Sequence, residues 1–415
     1  MRTIHVAGAG LAGLAAAMAA VEAGARVVVY EAARHAGGRC RSFDDPVVGR
    51  RIDNGNHLVL SGNRATLGYV DALGVRDRLV EVRPASFPFV DLADGERWAI
   101  RPGPAWWPLW PLEHRRRPPG VRAREFAAGL ALLRAGPDQS VGDVVSTSGA
   151  AFRRFWEPFV VGVLNTDAES AAAALLRPVI LETLARGEHR SRPLIARTGL
   201  SDALVEPAVE WLRRQGAVVH FGARLEALDL TADGARALRV GGTSVALEAG
   251  DQIVVALPPW ETASLLTCPS PPMGYSPILN AHFRVPGGGV TTPTLLGVVG
   301  GLAQWIICRE DVASVTVSAA DAVIDTPPAA LAERLWPEVV AALGLAPAPL
   351  GPSRIVKERR ATIRQTPAAV AAKWSAKTRW PNVTIAGEAT DTGLPATIEA
   401  AIRSGHHAVK MLHAL

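Results

Sequence analysis

Cysteine, methionine and tyrosine are scarce in this chain of 415 residues, and long apolar runs are absent. The three cysteines are Cys40, Cys268 and Cys308. They have no CxxC spacing, which argues against structural zinc, and their odd number does not suit a set of disulfides. This usage fits a reduced compartment. No segment offers about 20 uninterrupted apolar residues, so a membrane-spanning helix is not expected. These absences indicate a cytoplasmic globular protein without a metal site.

The charge is only moderately basic. There are 44 basic and 39 acidic residues, a net charge of +5 and a pI near 9.5. We find no RNP-like motif, zinc-finger spacing or long basic run, so nucleic-acid binding is not expected. With 48% hydrophobic and 20% charged residues, the chain can bury one large or two moderate cores, and we expect two intertwined domains.

A glycine motif lies at the start of the chain. The apolar run from Ile4 to Ala7 breaks into Gly8-x-Gly10-x-x-Gly13 and continues as an alanine-rich segment. The first glycine permits a tight turn, the second lets a pyrophosphate approach the backbone, and the third lets helix and strand pack closely. The helix N-terminus then offers N–H groups and a positive dipole to phosphate. Alone, such a motif can be a mere turn.

An acidic residue supports the dinucleotide interpretation. Glu31 follows the predicted strand Arg26–Tyr30, roughly 20 residues after the glycines, where a carboxylate bonds ribose hydroxyls. An acid at this position favours an unphosphorylated ribose. Strand, turn, helix, strand and acid together predict a dinucleotide-binding unit.

Further motifs resemble the amine oxidase and phytoene desaturase superfamily of flavoproteins. Gly37-Gly38-Arg39-Cys40-Arg41-Ser42 is similar to its GGRxxS segment, and the strand Val383–Glu388 with the segment Thr397–Gly405 is similar to the part that closes its cofactor site. The resemblance implies that Arg39 follows the pyrophosphate and ribityl chain. It also implies that Glu388 meets the ribityl or pyrophosphate region, and that the amides of Thr397 and Ile398 face N1 and O2 of the flavin.

FAD is therefore the expected cofactor. Because no cysteine follows Cys308, the covalent attachment of some superfamily members has no counterpart, and we expect dissociable FAD. The residues predicted to contact it are Gly8, Gly10, Leu11, Ala12, Gly13, Glu31, Ala32, Gly38, Arg39, Gly55, Asn56, His57, Leu225 (backbone, at the adenine), Gly387, Glu388, Thr397 and Ile398.

The predicted fold class is α/β, with a discontinuous Rossmann-like FAD-binding domain and a second α+β substrate domain of mixed sheet and helices. Residues 1–85, 200–265 and 350–415 are assigned to the first domain, and 86–199 and 266–349 to the second. Helical spacing predicts helices from Arg122 to Gly187, and short β-rich runs predict strands between Asn280 and Ala319.

The substrate is expected to be apolar and extended. Amine oxidases of the superfamily typically flank the amine with aromatic side chains, and the three tyrosines here, Tyr30, Tyr69 and Tyr275, are not placed for that role. Over nearly the whole chain the sequence resembles the hydroxysqualene dehydroxylases, FAD-dependent enzymes of bacterial hopanoid synthesis. The strings that carry the resemblance are Ile52–His57, Phe87–Leu92, Asn280–Arg284 and Gly387–Glu399. One departure is Gly387-Glu388, where the family often has Gly-Asp; the acid is kept.

The resemblance implies reductive removal of an allylic hydroxyl from hydroxysqualene. A proton donor must let water leave, and reduced flavin then delivers hydride. The candidate donors are His57 and Asp391, with alternatives for both: His57 as a partner of backbone or flavin, and Asp391 as a cap of the turn before the last helix. A third candidate, His282, is better explained as a core histidine. The electron donor that reduces FAD is external and unidentified.

One segment suggests a membrane contact. Three tryptophans, Trp106, Trp107 and Trp110, precede Arg115–Arg117. This combination suits a lipid headgroup interface and indicates a peripheral position on the inner face of the membrane. The alternative is an insertion whose tryptophans fill the core while the arginines face water.

Two rival functions remain on sequence grounds. One is a carotenoid or phytoene desaturase, which uses oxidised FAD on a long polyene. The other is a non-catalytic prenyl-lipid escort protein; the cofactor motifs of such proteins are degraded, whereas Gly8, Glu31, Arg39 and Glu388 are present here.

Overall fold

The structure is a computed structural model that describes residues 2–104, 110–267, 274–285, 287 and 289–413. The strands within these residues are β1 (Thr3–Ala7), β2 (Arg26–Glu31), β3 (Ser42–Asp45), β4 (Arg50–Asp53), β5 (Val59–Leu60), β6 (Leu79–Glu81), β7 (Phe87–Asp91), β8 (Arg97–Ile100), β9 (Pro193–Ala196), β10 (Val218–Phe221), β11 (Leu225–Thr231), β12 (Gly234–Val240), β13 (Thr243–Ala246), β14 (Gln252–Val255), β15 (Tyr275–Arg284), β16 (Val290–Val299), β17 (Trp305–Glu310), β18 (Val312–Val317), β19 (Ser353–Ile363) and β20 (Val383–Ile385). The α-helices are α1 (Leu11–Glu22), α2 (Arg64–Leu73), α3 (Ala128–Arg134), α4 (Val141–Val144), α5 (Glu157–Leu164), α6 (Leu176–Glu182), α7 (Glu206–Arg214), α8 (Pro259–Leu266), α9 (Pro328–Leu343), α10 (Pro367–Ala371) and α11 (Ile398–His413).

A five-stranded parallel sheet forms the first layer, in the order β10-β2-β1-β14-β20. Apart from the edge strand β10, its strands are short runs rich in valine and isoleucine with mostly buried side chains. One face of the sheet packs against α1, α7 and α11, and the other packs against the small sheet of β11, β12 and β13. The sheet collects segments from the beginning, middle and end of the chain, since β1 pairs with β2 on one side and with β14 on the other. The α/β fold class is thereby confirmed.

Helices α1 and α11 pack closely on this sheet. The alanine-rich α1 is buried on nearly every side. At Gly405 of α11, an added Cβ would overlap the carbonyl oxygen of Ala12. The contact therefore depends on glycine, and it joins the last helix of the chain to the first.

A seven-stranded sheet forms a second layer, in the order β19-β15-β18-β17-β16-β7-β8. Its neighbours are antiparallel except β16 and β7. The four strands predicted between Asn280 and Ala319 are present as β15 to β18. The boundary predicted at residue 350 needs a correction, because β19 is an edge strand of this second sheet and only the chain after Ile363 returns to the first. The division into two domains itself stays a prediction.

Residues 122–187 form the expected helical cover, built from α3 to α6 and several 3-10 and π turns. Its core is aromatic, with Trp110 buried against Phe126 and Phe155. No described helix is long and apolar enough to cross a membrane.

Candidate cofactor and active site

The loop between β1 and α1 leaves an open space above its second glycine. Gly8 has φ +98°, and a Cβ there would overlap the carbonyl oxygen of Ala256; a Cβ at Gly13 would overlap the carbonyl oxygen of Gly8. At Gly10, by contrast, an added Cβ meets nothing within 4 Å. Packing thus requires glycine at positions 8 and 13. Gly10 instead borders an open space at the N-terminus of α1 that can accommodate a pyrophosphate.

Glu31 lies beside this loop. Its Oε2 accepts from the amide of Ala9 at 2.8 Å, and its Oε1 accepts from the amide of Ala33 at 2.8 Å. The carboxylate is half-buried at the carboxyl end of β2, where it can also reach a ribose. The amide of Ala223 donates to the Glu31 carbonyl at 2.8 Å, which brings the segment before Leu225 to the same end of the sheet.

An ion pair joins the two ends of the chain. Arg39 Nη1 lies 2.8 Å from Glu388 Oε1 and donates to the carbonyl of Ala361 at 2.6 Å. Glu388 Oε2 accepts from the amide of Ile363 at 3.2 Å. The GGRxxS segment and the C-terminal Gly-Glu therefore meet at the edge of β19, as a cofactor shared between them requires.

The start of α11 is firmly held. Glu399 is buried and accepts from the amides of Ala65 and Thr66, at 3.0 and 2.8 Å, which caps α2. The amide of Gly387 donates to Ser404 Oγ at 2.9 Å. The first-turn amide of Ile398 and the amide of Thr397 just before the helix have no acceptor within α11, so both can face an electron-rich group. The site thus offers a phosphate cradle, a ribose acid and a helix N-terminus, which fits FAD.

In its neutral form, His57 has a defined tautomer. Its Nδ1 lies 3.0 Å from the carbonyl oxygen of Gly55, and since a carbonyl only accepts, Nδ1 carries the proton. Burial lowers the pKa of His57, but the neighbouring Cys40, the Gly55 carbonyl and Asp53 outweigh burial and raise the pKa to about 9. Both interpretations of His57 from the sequence are therefore compatible with the structure. The ring hydrogen-bonds the backbone, and it can also hold a proton at neutral pH.

Asp391 is exposed, and its Oδ1 accepts from the amide of Gly393 at 2.9 Å. It therefore caps the turn before α11, which is the alternative considered for it. Its role as an acid stays a prediction.

His282 is a buried core residue. Its Nδ1 lies 2.8 Å from Ser314 Oγ, and burial lowers its pKa to about 4. The lowered pKa favours the neutral ring, which agrees with the core interpretation.

Sequence reasoning missed several polar residues of the site. Lys373 Nζ donates to the carbonyl of Leu394 at 3.2 Å; burial lowers the pKa of Lys373, against the opposing charges of Asp391 and Glu388. Asn280 and Thr316 bond each other within the second sheet. The sequence signal for Asn280 and Thr316 was a polar side chain in the middle of an apolar strand. Burial of such a side chain costs free energy unless it is hydrogen-bonded, so its presence indicates a specific partner.

The predicted membrane segment is corrected in part. Trp110 is 5% exposed and belongs to the core, so it does not contact a membrane. Trp106 and Trp107 lie outside the described residues, as does Cys268. Arg115 is exposed, whereas Arg116 and Arg117 are half-buried; Arg116 pairs with Glu113, and Arg117 donates to the carbonyl of Pro111.

Known proteins similar to this chain cover its whole length. The sequence pattern of the flavin containing amine oxidoreductase family matches residues 11–412. Curated relatives named hydroxysqualene dehydroxylase are 42% identical in Rhodopseudomonas palustris and 40% identical in Sinorhizobium fredii, each over 99% of this chain and 98% of the relative. A third of that name, from Zymomonas mobilis, is 38% identical over 99% of both chains.

Solved structures show the same fold at low identity. Cyclohexylamine oxidase from Brevibacterium oxydans superposes with a TM-score of 0.73 at 15% identity, over 100% of this chain and 99% of that one. Putrescine oxidase bound to putrescine gives a TM-score of 0.71 at 16% identity, again over 100% and 99%.

Proposed function

The chain belongs to the flavin containing amine oxidoreductase family, and we propose that within it the protein acts as an FAD-dependent hydroxysqualene dehydroxylase that forms squalene. The observation that carries the proposal is the full-length likeness to relatives of that name. It is supported by a site in which Arg39 and Glu388 join both ends of the chain.

Bound FAD, once reduced, supplies the hydride that replaces the hydroxyl. The chain has three further tasks: to hold the cofactor, to donate a proton to the leaving hydroxyl, and to exclude water from the allylic cation that its departure creates. We assign the first to the glycine loop, Glu31, Arg39, Glu388 and the start of α11. For the second we favour His57 over Asp391, because His57 is half-buried and the surrounding groups raise its pKa to about 9.

The substrate is an extended apolar isoprenoid alcohol, and the electrons come from an external donor. Anaerobic incubation of the purified holoprotein with hydroxysqualene, after reduction by dithionite, tests the proposal. Squalene detected by mass spectrometry only with reduced flavin is the expected result. The control is oxidised protein under the same conditions.

Other outcomes would overturn the proposal. Desaturation of phytoene by the oxidised protein, without squalene from the reduced protein, would assign it to the desaturases. A purified protein that binds the isoprenoid but takes up no FAD would be an escort protein.

We also propose a peripheral contact with the inner face of the membrane, at exposed residues near the Trp/Arg segment. Leu112 is 63% exposed and Arg115 is exposed beside it, which suits an anionic headgroup layer. Co-sedimentation with phosphatidylglycerol vesicles should exceed that with phosphatidylcholine vesicles, and should fall in Arg115→Ser. The matched control is Arg134→Ser, an exposed arginine at the end of α3. Equal sedimentation with both vesicle types would refute the contact.

A further inference from the structure

A buried polar cluster joins the second sheet to the loop of residues 54–56. Asn280, in the middle of β15, is 1% exposed. Its Nδ2 donates to the carbonyl of Asn54 at 3.2 Å, and its Oδ1 accepts from Thr316 Oγ1 at 2.8 Å. The amide of Asn56 approaches the same Oδ1 at 3.4 Å. One side chain thus holds both flanks of Gly55.

Thr316 completes the arrangement from β18. Its Oγ1 accepts from Asn56 Nδ2 at 3.0 Å while it donates to Asn280. Asn56 Nδ2 also donates to the carbonyl of Ser314 at 2.7 Å. The Thr316 hydroxyl therefore contacts both asparagines through its own two hydrogen bonds.

The backbone at Gly55 packs closely against Asn280 of the second sheet. A Cβ at Gly55 would lie 3.0 Å from Asn280 Nδ2, so the backbone is already seated against the amide. The carbonyl of this same residue accepts from His57 Nδ1 at 3.0 Å. The direction of that carbonyl is thus fixed by a side chain more than two hundred residues away in the sequence.

We propose that Asn280 and Thr316 are positioning residues for His57. By holding residues 54–56 they aim the Gly55 carbonyl at Nδ1, so that Nδ1 keeps its proton and Nε2 is the nitrogen that gains and releases one. Their polarity serves this purpose rather than sheet stability, because an apolar pair would fill the same strands at no cost in desolvation.

Several groups face His57 from the elements packed around it. Cys40 lies in the 3-10 turn Gly38–Cys40, Asp53 ends β4, and the buried Tyr69 of α2 in turn faces Cys40. Asp53 is itself held by the Ser42 hydroxyl at 2.6 Å and by Arg309. Cys40 also hydrogen-bonds the His57 side chain, whereas the partner of Nδ1 is the Gly55 carbonyl. These groups therefore act mainly on the charge of the ring, and the loop acts on its tautomer.

The test compares Thr316→Val with Thr316→Ser in the FAD-loaded protein. Valine has the shape of threonine without the hydroxyl, whereas serine keeps it. Histidine is labelled with nitrogen-15, and the His57 signal is identified by its loss in His57→Gln. At a pH above the titration midpoint of His57, where the ring is neutral, we expect wild type and Thr316→Ser to show the Nδ1-protonated form. In Thr316→Val, we expect a mixture of tautomers and a His57 titration midpoint lowered by about half a pH unit or more.

Activity gives a second readout that rests on the proposed function. Squalene formation by Thr316→Val should fall about tenfold or more at unchanged KM, within the range ascribed to a general acid, and Thr316→Ser should restore it. A merely structural role would lower the melting temperature without changing the tautomer or the pH profile.

The possible failures are distinguishable. If Thr316→Val and Thr316→Ser give the same His57 signal and titration, the inference is overturned, whatever the activity. If the signals differ but no protein forms squalene, the positioning role stands and the proposed function fails. Should Thr316→Val not fold, Thr316→Ala provides the same comparison, because it removes the hydroxyl without placing a methyl group against Asn280.

Discussion

At the scale of single residues, Arg39 and Glu388 illustrate what a sequence motif can and cannot tell. Their places at the cofactor were implied by resemblance, but their pairing joins positions 349 residues apart. Propensity and periodicity are local quantities, so they carry no information on such a pair. The same holds for Asn280 and Gly55. The tautomer of His57 depends on a loop direction that local sequence does not encode.

Removing the charge of Glu388 should lower the stability of the cofactor-free protein. Glu388→Gln keeps a hydrogen-bond acceptor for the Ile363 amide but removes the charge that faces Arg39, so we expect a loss of about 1–2 kcal/mol in the free energy of unfolding. Urea unfolding of the cofactor-free protein measures it. Glu310→Gln is the control, because the Glu310 side chain is 71% exposed. Equal loss in both variants would contradict the prediction.

The pKa of His57 makes stability depend on pH. The folded-state pKa, about 9, lies above the ordinary value of 6.5, so the stabilisation is complete below pH 6.5 and is lost as pH rises through 9. The difference between wild type and His57→Gln should therefore shrink from about pH 6.5 to about pH 9.5, by at most about 3 kcal/mol. Urea unfolding at both pH values tests this.

The variant Cys40→Ser separates the effect of Cys40 on the pKa of His57 from the effects of Asp53 and the Gly55 carbonyl. Cys40 is the first of the groups that raise the pKa of His57, through its electrostatic interaction and hydrogen bond with the ring, so the variant should lower the titration midpoint of His57. A midpoint that stays unchanged would assign the shift to Asp53 and the Gly55 carbonyl instead.

At the scale of elements, the strands and helices around the cofactor were largely predictable. The strand, glycine turn and helix at the N-terminus, and the strand and helix at the C-terminus, lie where the periodicity placed them. The sheet that β19 joins could not be read from sequence, because a β-rich run has the same pattern in either sheet and only long-range pairing decides. Trp110 is a similar case, since an aromatic side chain suits both a core and an interface.

Packing of α11 on α1 should be sensitive to one methyl group. Gly405→Ala would overlap the carbonyl of Ala12, and we expect a loss of about 1–3 kcal/mol or more in the free energy of unfolding. Gly68→Ala in α2 is the matched control, because its Cβ would meet nothing within 4 Å; it should gain about 0.5–1 kcal/mol. Thermal unfolding compares the two, and a stable Gly405→Ala protein would mean that the helices can separate without cost.

At the scale of the whole molecule, FAD binding and stability should be coupled. The residues assigned to the cofactor come from segments near both ends of the chain, so a bound cofactor adds contacts between parts that an ion pair, strand pairing and packing already join. At a free FAD concentration about 100 times Kd, the stabilisation should reach about 2.7 kcal/mol. Differential scanning calorimetry with and without FAD measures it. An unchanged melting temperature at full occupancy would show that FAD binds the unfolded chain equally well.

The order of strands in the first sheet also governs when the protein can fold during synthesis. β1 needs β14, which follows it by about 245 residues, and the sheet is completed only by β20 at Val383–Ile385. The ribosome must therefore release almost the whole polypeptide before the nucleotide cleft exists. Until β14 is available β1 has one unpaired edge, and until β20 is available β14 has one, a state in which apolar strands associate with the wrong partners. We therefore expect the first sheet to form late in folding, because its completion depends on strands that lie far apart in the sequence.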